Sequence, residues 1–107
     1  MYANNAQFEL SSWDLKIIFG ELNQSGGKTT VEQHTAVTVS WVQAKLFAYY
    51  LQVNIAFYEL QHGKIAIPKE TLPPEPPPIP EELANDPQAK AANQLFKKMR
   101  GEFLSTL

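Results

Sequence analysis

The chain has no cysteine, which excludes disulfides, thiolate metal ligands and a cysteine nucleophile together. That absence agrees with a reducing compartment, and the expected location is the cytoplasm. Charge of either sign is scarce: nine Lys and Arg stand against eleven Asp and Glu, a formal net charge of −2. No basic field points to nucleic acid or to an anionic membrane. Long apolar runs are missing too. Residues 42–60 are the most apolar stretch, but Gln43, Lys45, Gln52, Asn54 and Glu59 interrupt it, whereas a bilayer span takes roughly 20 predominantly apolar residues. Residues 1–10 lack the basic flank and apolar centre of a signal peptide. The reading is of a soluble chain.

What is present suffices for one domain: 107 residues, 44% of them hydrophobic. Charge divides the chain into three zones. Residues 1–67 are nearly balanced, residues 68–87 hold one basic and five acidic side chains, and residues 88–107 hold four and one.

Alternation sets the first zone. Phe8 and Leu10 alternate with Gln7 and Glu9, and Leu15, Ile17 and Phe19 alternate with Asp14, Lys16 and Ile18; a period of two marks half-buried strands. Ser11-Ser12 is a tight joint between them. Residues 23–28, Asn-Gln-Ser-Gly-Gly-Lys, carry loop chemistry. A third strand follows over about residues 29–39, with Val31, Val37 and Val39 on its apolar face. Three strands joined by short connections predict an antiparallel meander with one wet face.

Ser40 then stands as an N-cap, with Gln43 three positions on completing a capping box. The helix it opens is predicted to end at Gly63, where glycine takes the left-handed C′ conformation at no steric cost. One stripe of this helix carries Ala44, Phe47, Ala48, Leu51, Ile55 and Tyr58, and a second carries Leu46, Tyr49, Tyr50, Val53, Phe57 and Leu60. A small sheet covers one stripe; a helix apolar nearly all round needs cover on both sides. Phe8, Leu15, Ile17, Phe19, Val37, Val39, Phe47 and Leu51 are the expected core.

Residues 64–68 read as a short fourth strand. Pro68, Pro73, Pro74, Pro76, Pro77, Pro78 and Pro80 then impose polyproline II. Asp86-Pro87 is a strong helix start, and Ala92, Leu95, Phe96, Met99 and Phe103 fall at helical spacing behind it. The fold class is therefore α+β: a β-β-β meander, one long helix, a proline-rich linker and a C-terminal helix. The expected divisions are residues 1–68, 69–85 and 86–107.

Chemistry is harder to find. Ser25-Gly26-Gly27-Lys28-Thr29 ends like a phosphate loop, but Leu22 occupies the position of its first glycine and a strand follows where a helix is needed. A hairpin turn explains it better. His34, read as a solvated cross-strand partner, and His62, at the negative end of the helix, have no converging ligands for zinc. Glu59 and Asp14 lack a second carboxylate at fixed spacing, so no acid/base pair is named. The aromatics Trp41, Phe47, Tyr49, Tyr50, Phe57 and Tyr58 have only Lys45 as an interleaved cation, too little for a nucleic-acid stacking platform. No catalytic residue, metal ligand or cofactor is expected, and the protein is read as no enzyme.

Tyr2-Ala3-Asn4, Ser12-x-Asp14, Phe19-Gly20, His34-x-x-Val37, Ser40-x-x-Gln43-Ala44-Lys45, Leu51, Tyr58-Glu59 and Gly63-x-Ile65 together follow a recognisable pattern. It resembles that of a family of small bacterial and archaeal proteins catalogued as domain of unknown function 3467, over about residues 2–68. The resemblance implies a stand-alone cytoplasmic domain with no assigned activity, cofactor or catalytic residue. The turn within residues 20–28 and the basic tail look particular to this chain.

The expected function is that of a homo-oligomeric interaction or scaffold module, self-associating through Leu46, Tyr49, Tyr50, Val53, Phe57 and Leu60. The C-terminal helix offers a contact for another protein; nucleic acid and membrane are not expected partners. The alternative is a binder of small molecules or peptides, with its pocket between sheet and long helix.

Overall fold

The structure is a computed structural model describing residues 2–107. Met1, part of the stretch read as no signal peptide, lies outside the described residues. The chain divides into two units, residues 1–58 and 59–107, with the division inside the long helix.

The first unit is built on a three-stranded antiparallel sheet in the order β1-β2-β3: β1 Asn5–Leu10, β2 Asp14–Ser25 and β3 Lys28–Ser40. Phe8 pairs with Ile17 and Ile17 with Val37; Leu10, Leu15 and Val39 align in the next apolar row. Glu9, Lys16 and Thr38 share the other face, where Lys16 Nζ stands 4.0 Å from Glu9. Ser11 ties the first turn. Its Oγ accepts from the backbone N–H groups of Trp13 and Asp14 and donates to Asp14 Oδ1 at 2.9 Å. Beyond the expected strand ends, β2 and β3 continue through most of residues 23–28. Only Gly26 and Gly27 turn the chain, at φ 58° and 76°, the paired positive values that a two-residue hairpin matching the strand twist requires.

One residue is inserted in β3. Phe19 faces Thr35 but Gly20 faces Gln33, so His34 is extra, a β-bulge. The insertion exchanges the two faces of the strand. Val31 pairs with Leu22 and lies on the face opposite Val37 and Val39, contrary to the uninterrupted alternation expected. At the same place a Cβ on Gly20 would stand 2.7 Å from the Glu32 carbonyl oxygen, so close approach of two backbones demands glycine.

β3 passes into α1, Trp41–His62, with no loop residue between Ser40 and Trp41. Ser40 Oγ accepts from Gln43 N at 3.1 Å, the expected N-cap. Trp41 Nε1 donates to Ser11 O at 2.9 Å and pins the start of the helix to the first turn. A strand that returns a helix onto its own sheet normally uses 2–6 connecting residues. With none available, α1 approaches the sheet only sparsely and buries no residue.

The expected core is therefore corrected. Leu15, Ile17, Phe19 and Val39 are half-buried, while Phe8, Val37, Phe47 and Leu51 are exposed, Leu51 by 63%. No hydrophobic side chain among the described residues is buried. The sheet does not cover the Phe47–Leu51 stripe because the joint does not fold the helix back.

In the second unit Gly63 adopts φ 87° and donates its N–H to Glu59 O at 2.8 Å, ending the helix as expected. Glu59 Oε2 accepts from Ile65 N at 2.8 Å. Residues 64–68 join no sheet among the described residues, which corrects the expected fourth strand; the Ile65 amide is satisfied by that carboxylate. A 3₁₀ turn Lys69–Thr71, an extended proline run and a second turn Glu81–Leu83 lead to α2, Pro87–Ser105. Asp86 caps α2 by accepting from Gln88 N, with Pro87 at N1. The proline run, read above as a linker, lies antiparallel along α2. Arg100 Nε donates to Pro73 O and Asn93 Nδ2 to Pro77 O, using carbonyls that polyproline II leaves without internal partners.

Candidate interaction surface

The corner at the bulge gathers Asn4 and His34, two polar residues of the recognised pattern. Asn4 N donates to Gly20 O, and Asn4 Oδ1 accepts from Leu22 N at 2.6 Å, so its side chain continues the β1–β2 ladder where the strand has ended. His34 Nε2 lies 3.0 Å from Tyr2 O and Nδ1 2.8 Å from Thr35 Oγ1. A carbonyl only accepts, so Nε2 donates to Tyr2 O, and Nδ1 shares a hydrogen bond with the Thr35 hydroxyl. His34, expected as a solvated cross-strand partner, is instead a staple holding the N-terminal segment on the bulge. Asn4 and His34 are each tied to backbone, and the second ring nitrogen of His34 meets the Thr35 hydroxyl. No group of three or more His, Cys, Asp or Glu side chains able to hold a metal occurs among the described residues.

The apolar surface of α1 has the opposite character. Leu46, Tyr49, Tyr50, Val53 and Phe57 in the first unit, and Leu60 at the start of the second, are all exposed, from 44% for Val53 to 82% for Leu60. Tyr49 and Tyr50 meet edge to face, ring centroids 5.2 Å apart, a favourable arrangement of their quadrupoles. Adjoining that surface and sharing Tyr50 with it, Phe47, Tyr50, Leu51 and Asn54 face Ile17, Phe19 and Val37 across a groove of about 460 Å³. Polar lining is minimal, because Asn54 Nδ2 is already engaged with Tyr50 O at 2.8 Å. Sequence reasoning assigned the groove walls to the core. The signal that would have placed them correctly is the absence of any residue between the strand pattern ending at Val39 and the cap at Ser40.

No helix among the described residues is long and apolar enough to cross a membrane. The molecule defines a class, a small α+β domain of β-β-β-α order with a proline–helix appendage. Within that class the family model "Protein of unknown function (DUF3467)" matches residues 1–67, and the chain belongs to this family. No curated protein and no solved structure matches the chain.

Proposed function

We propose that the chain is a non-catalytic interaction or scaffold module of the cytoplasm that works as a homo-oligomer. One observation carries this reading: no hydrophobic side chain among the described residues is buried. The chain exposes 9218 Å² for 12.1 kDa. A compact monomer of that mass exposes about 6,000 Å², and two separately folded halves about 7,000 Å². A surplus of roughly 2,000 Å² per chain falls in the range of obligate interfaces, counted over both partners. Tyrosines suit such a surface, since the ring is buried while the hydroxyl reaches the rim. Static light scattering after gel filtration at micromolar concentration is expected to give at least a dimer. A monodisperse monomer with a cooperative melt overturns the reading.

The groove between sheet and α1 favours a second reading, a binder of small apolar molecules or peptides, because its volume lies within the usual 300–1,000 Å³. Its near lack of convergent polar groups weighs against selectivity. A saturable shift of melting temperature with an apolar fluorescent probe, at unchanged oligomeric mass, would favour the binder. The exposed Leu95, Phe96 and Met99 of α2 give the scaffold a separate contact for a different protein.

A further inference from the structure

We infer that the groove between the sheet and α1 is filled by α1 of a second copy, so that two chains exchange helices. This rests on the self-association proposed above and specifies its geometry. The joint between β3 and α1 contains no loop residue, and Trp41 Nε1 fixes the direction in which the helix leaves. A joint too short to reverse the chain is what favours exchange of an element between protomers over closure within one.

The two stripes of α1 then receive distinct partners. Phe47, Tyr50, Leu51 and Asn54 line the groove at i, i+3, i+4 and i+7, the spacing of a seam between paired helices. Two copies of this seam run antiparallel across a two-fold axis that passes near Tyr50 and Leu51. With its seam face on the partner helix, α1 turns the adjoining stripe, centred on Val53 roughly 110° round the helix, toward the partner's sheet at Ile17 and Val37. Each apolar face is then covered once. A foreign apolar helix would fill only one groove and leave the second stripe bare, whereas a second copy satisfies both. The surplus exposed area, taken over the whole chain, is of the order that a stable dimer buries.

The absence of native cysteine makes disulfide mapping on the full chain a clean test. Helix axes pack 8–10 Å apart, and a disulfide needs Cα atoms within about 7 Å, so only residues at the axis link to themselves. Mild oxidation of Leu51→Cys is expected to convert most of the chain to covalent dimer on a non-reducing gel. Ile17→Cys chains refolded together with Val53→Cys chains should form a covalent heterodimer, while each variant alone stays a single chain. Should Leu51→Cys fail to melt cooperatively, Tyr50→Cys occupies the same axis position. Self-linking of Val53→Cys without linking of Leu51→Cys overturns the exchange and leaves a dimer built on the other stripe. An intramolecular bond in the Ile17→Cys, Leu51→Cys double variant overturns it in favour of closure within one chain. Light scattering separates the two levels: a monomeric wild type ends the self-association reading itself, whereas a dimer with the wrong links ends only the helix exchange.

Discussion

In the sheet, polar side chains complete the backbone. Asn4 extends a ladder, Ser11 closes a turn, His34 staples the bulge and Ser40 caps the helix. Every one of these contacts lies within one chain. Along α1 the large side chains are apolar and exposed on both stripes. Hydrogen bonds are directional and are satisfied by near neighbours, whereas apolar cover needs a second layer. The local framework is thus finished in the monomer and the core is not, which makes α1 the region to attack first.

The largest effect is expected from the double variant Tyr50→Glu, Val53→Glu. Two carboxylates placed in a covered interface lose hydration without a partner, so light scattering should report monomer and the cooperative melt should vanish. Retention of both mass and melting temperature would mean that this face of α1 stays in water. Leu51→Ala separates the cases by magnitude. At 63% exposure in a single chain the truncation would cost less than about 1 kcal/mol, but in a packed seam it costs about 2–5 kcal/mol. Denaturant melts are expected to give the larger value.

The sheet corner should be sensitive for another reason. Gly20→Ala forces a Cβ to within 2.7 Å of a backbone oxygen, and the strand pair must shift, at about 1–3 kcal/mol. Gly101, inside α2, would meet nothing within 4 Å; Gly101→Ala is expected to stabilise its helix by up to about 1 kcal/mol. Equal responses from the two glycines would break the distinction between a glycine held by contact and one that is merely tolerated. Ser40→Ala, which removes the cap on Gln43 N, is expected to cost about 1 kcal/mol in the same melts, with little change in oligomeric mass.

Much of this was legible in the sequence where one residue type does one local job. The alternation of Leu15, Ile17 and Phe19 fixed their face, Ser40 with Gln43 marked the helix start, Gly63 its end, and Asp86-Pro87 opened α2. The bulge was not legible. Nothing in the composition around His34 announces an inserted residue, and a single insertion moved Val31 to the opposite face from Val37. The core list failed at Phe8, Val37, Phe47 and Leu51 for a different reason: periodicity shows which side chains share a face, not which element covers it. The candidate surface on Leu46, Tyr49, Tyr50, Val53, Phe57 and Leu60 was visible as a second apolar stripe. The groove was missed because its walls had been assigned to the core.

The smallest effect is expected from removing residues 69–107. The proline run is held by Asn93 and Arg100 of α2, and Pro76, Pro77, Pro78, Ile79 and Pro80 lie against Ala89, Ala92 and Phe96. Polyproline II carries no internal hydrogen bonds, so this segment draws its order from α2, and the two form a self-contained pair. The family match ends at residue 67, and the carboxylate of Glu59 that satisfies the Ile65 amide stays in the truncated chain. The bonds lost from the remaining body include that from Lys64 Nζ to Thr106 O and those that Pro68 O accepts from Thr71 N and Oγ1, exposed contacts of little weight. Residues 1–68 alone should therefore stay soluble and associated and melt cooperatively, with unfolding free energy changed by less than about 1 kcal/mol. Loss of the cooperative melt would make α2 part of the core and move the boundary of the folded body. Loss of association with the melt intact would assign the cover of α1 to α2, and with it the contrast between a finished sheet and an unfinished helix would fall.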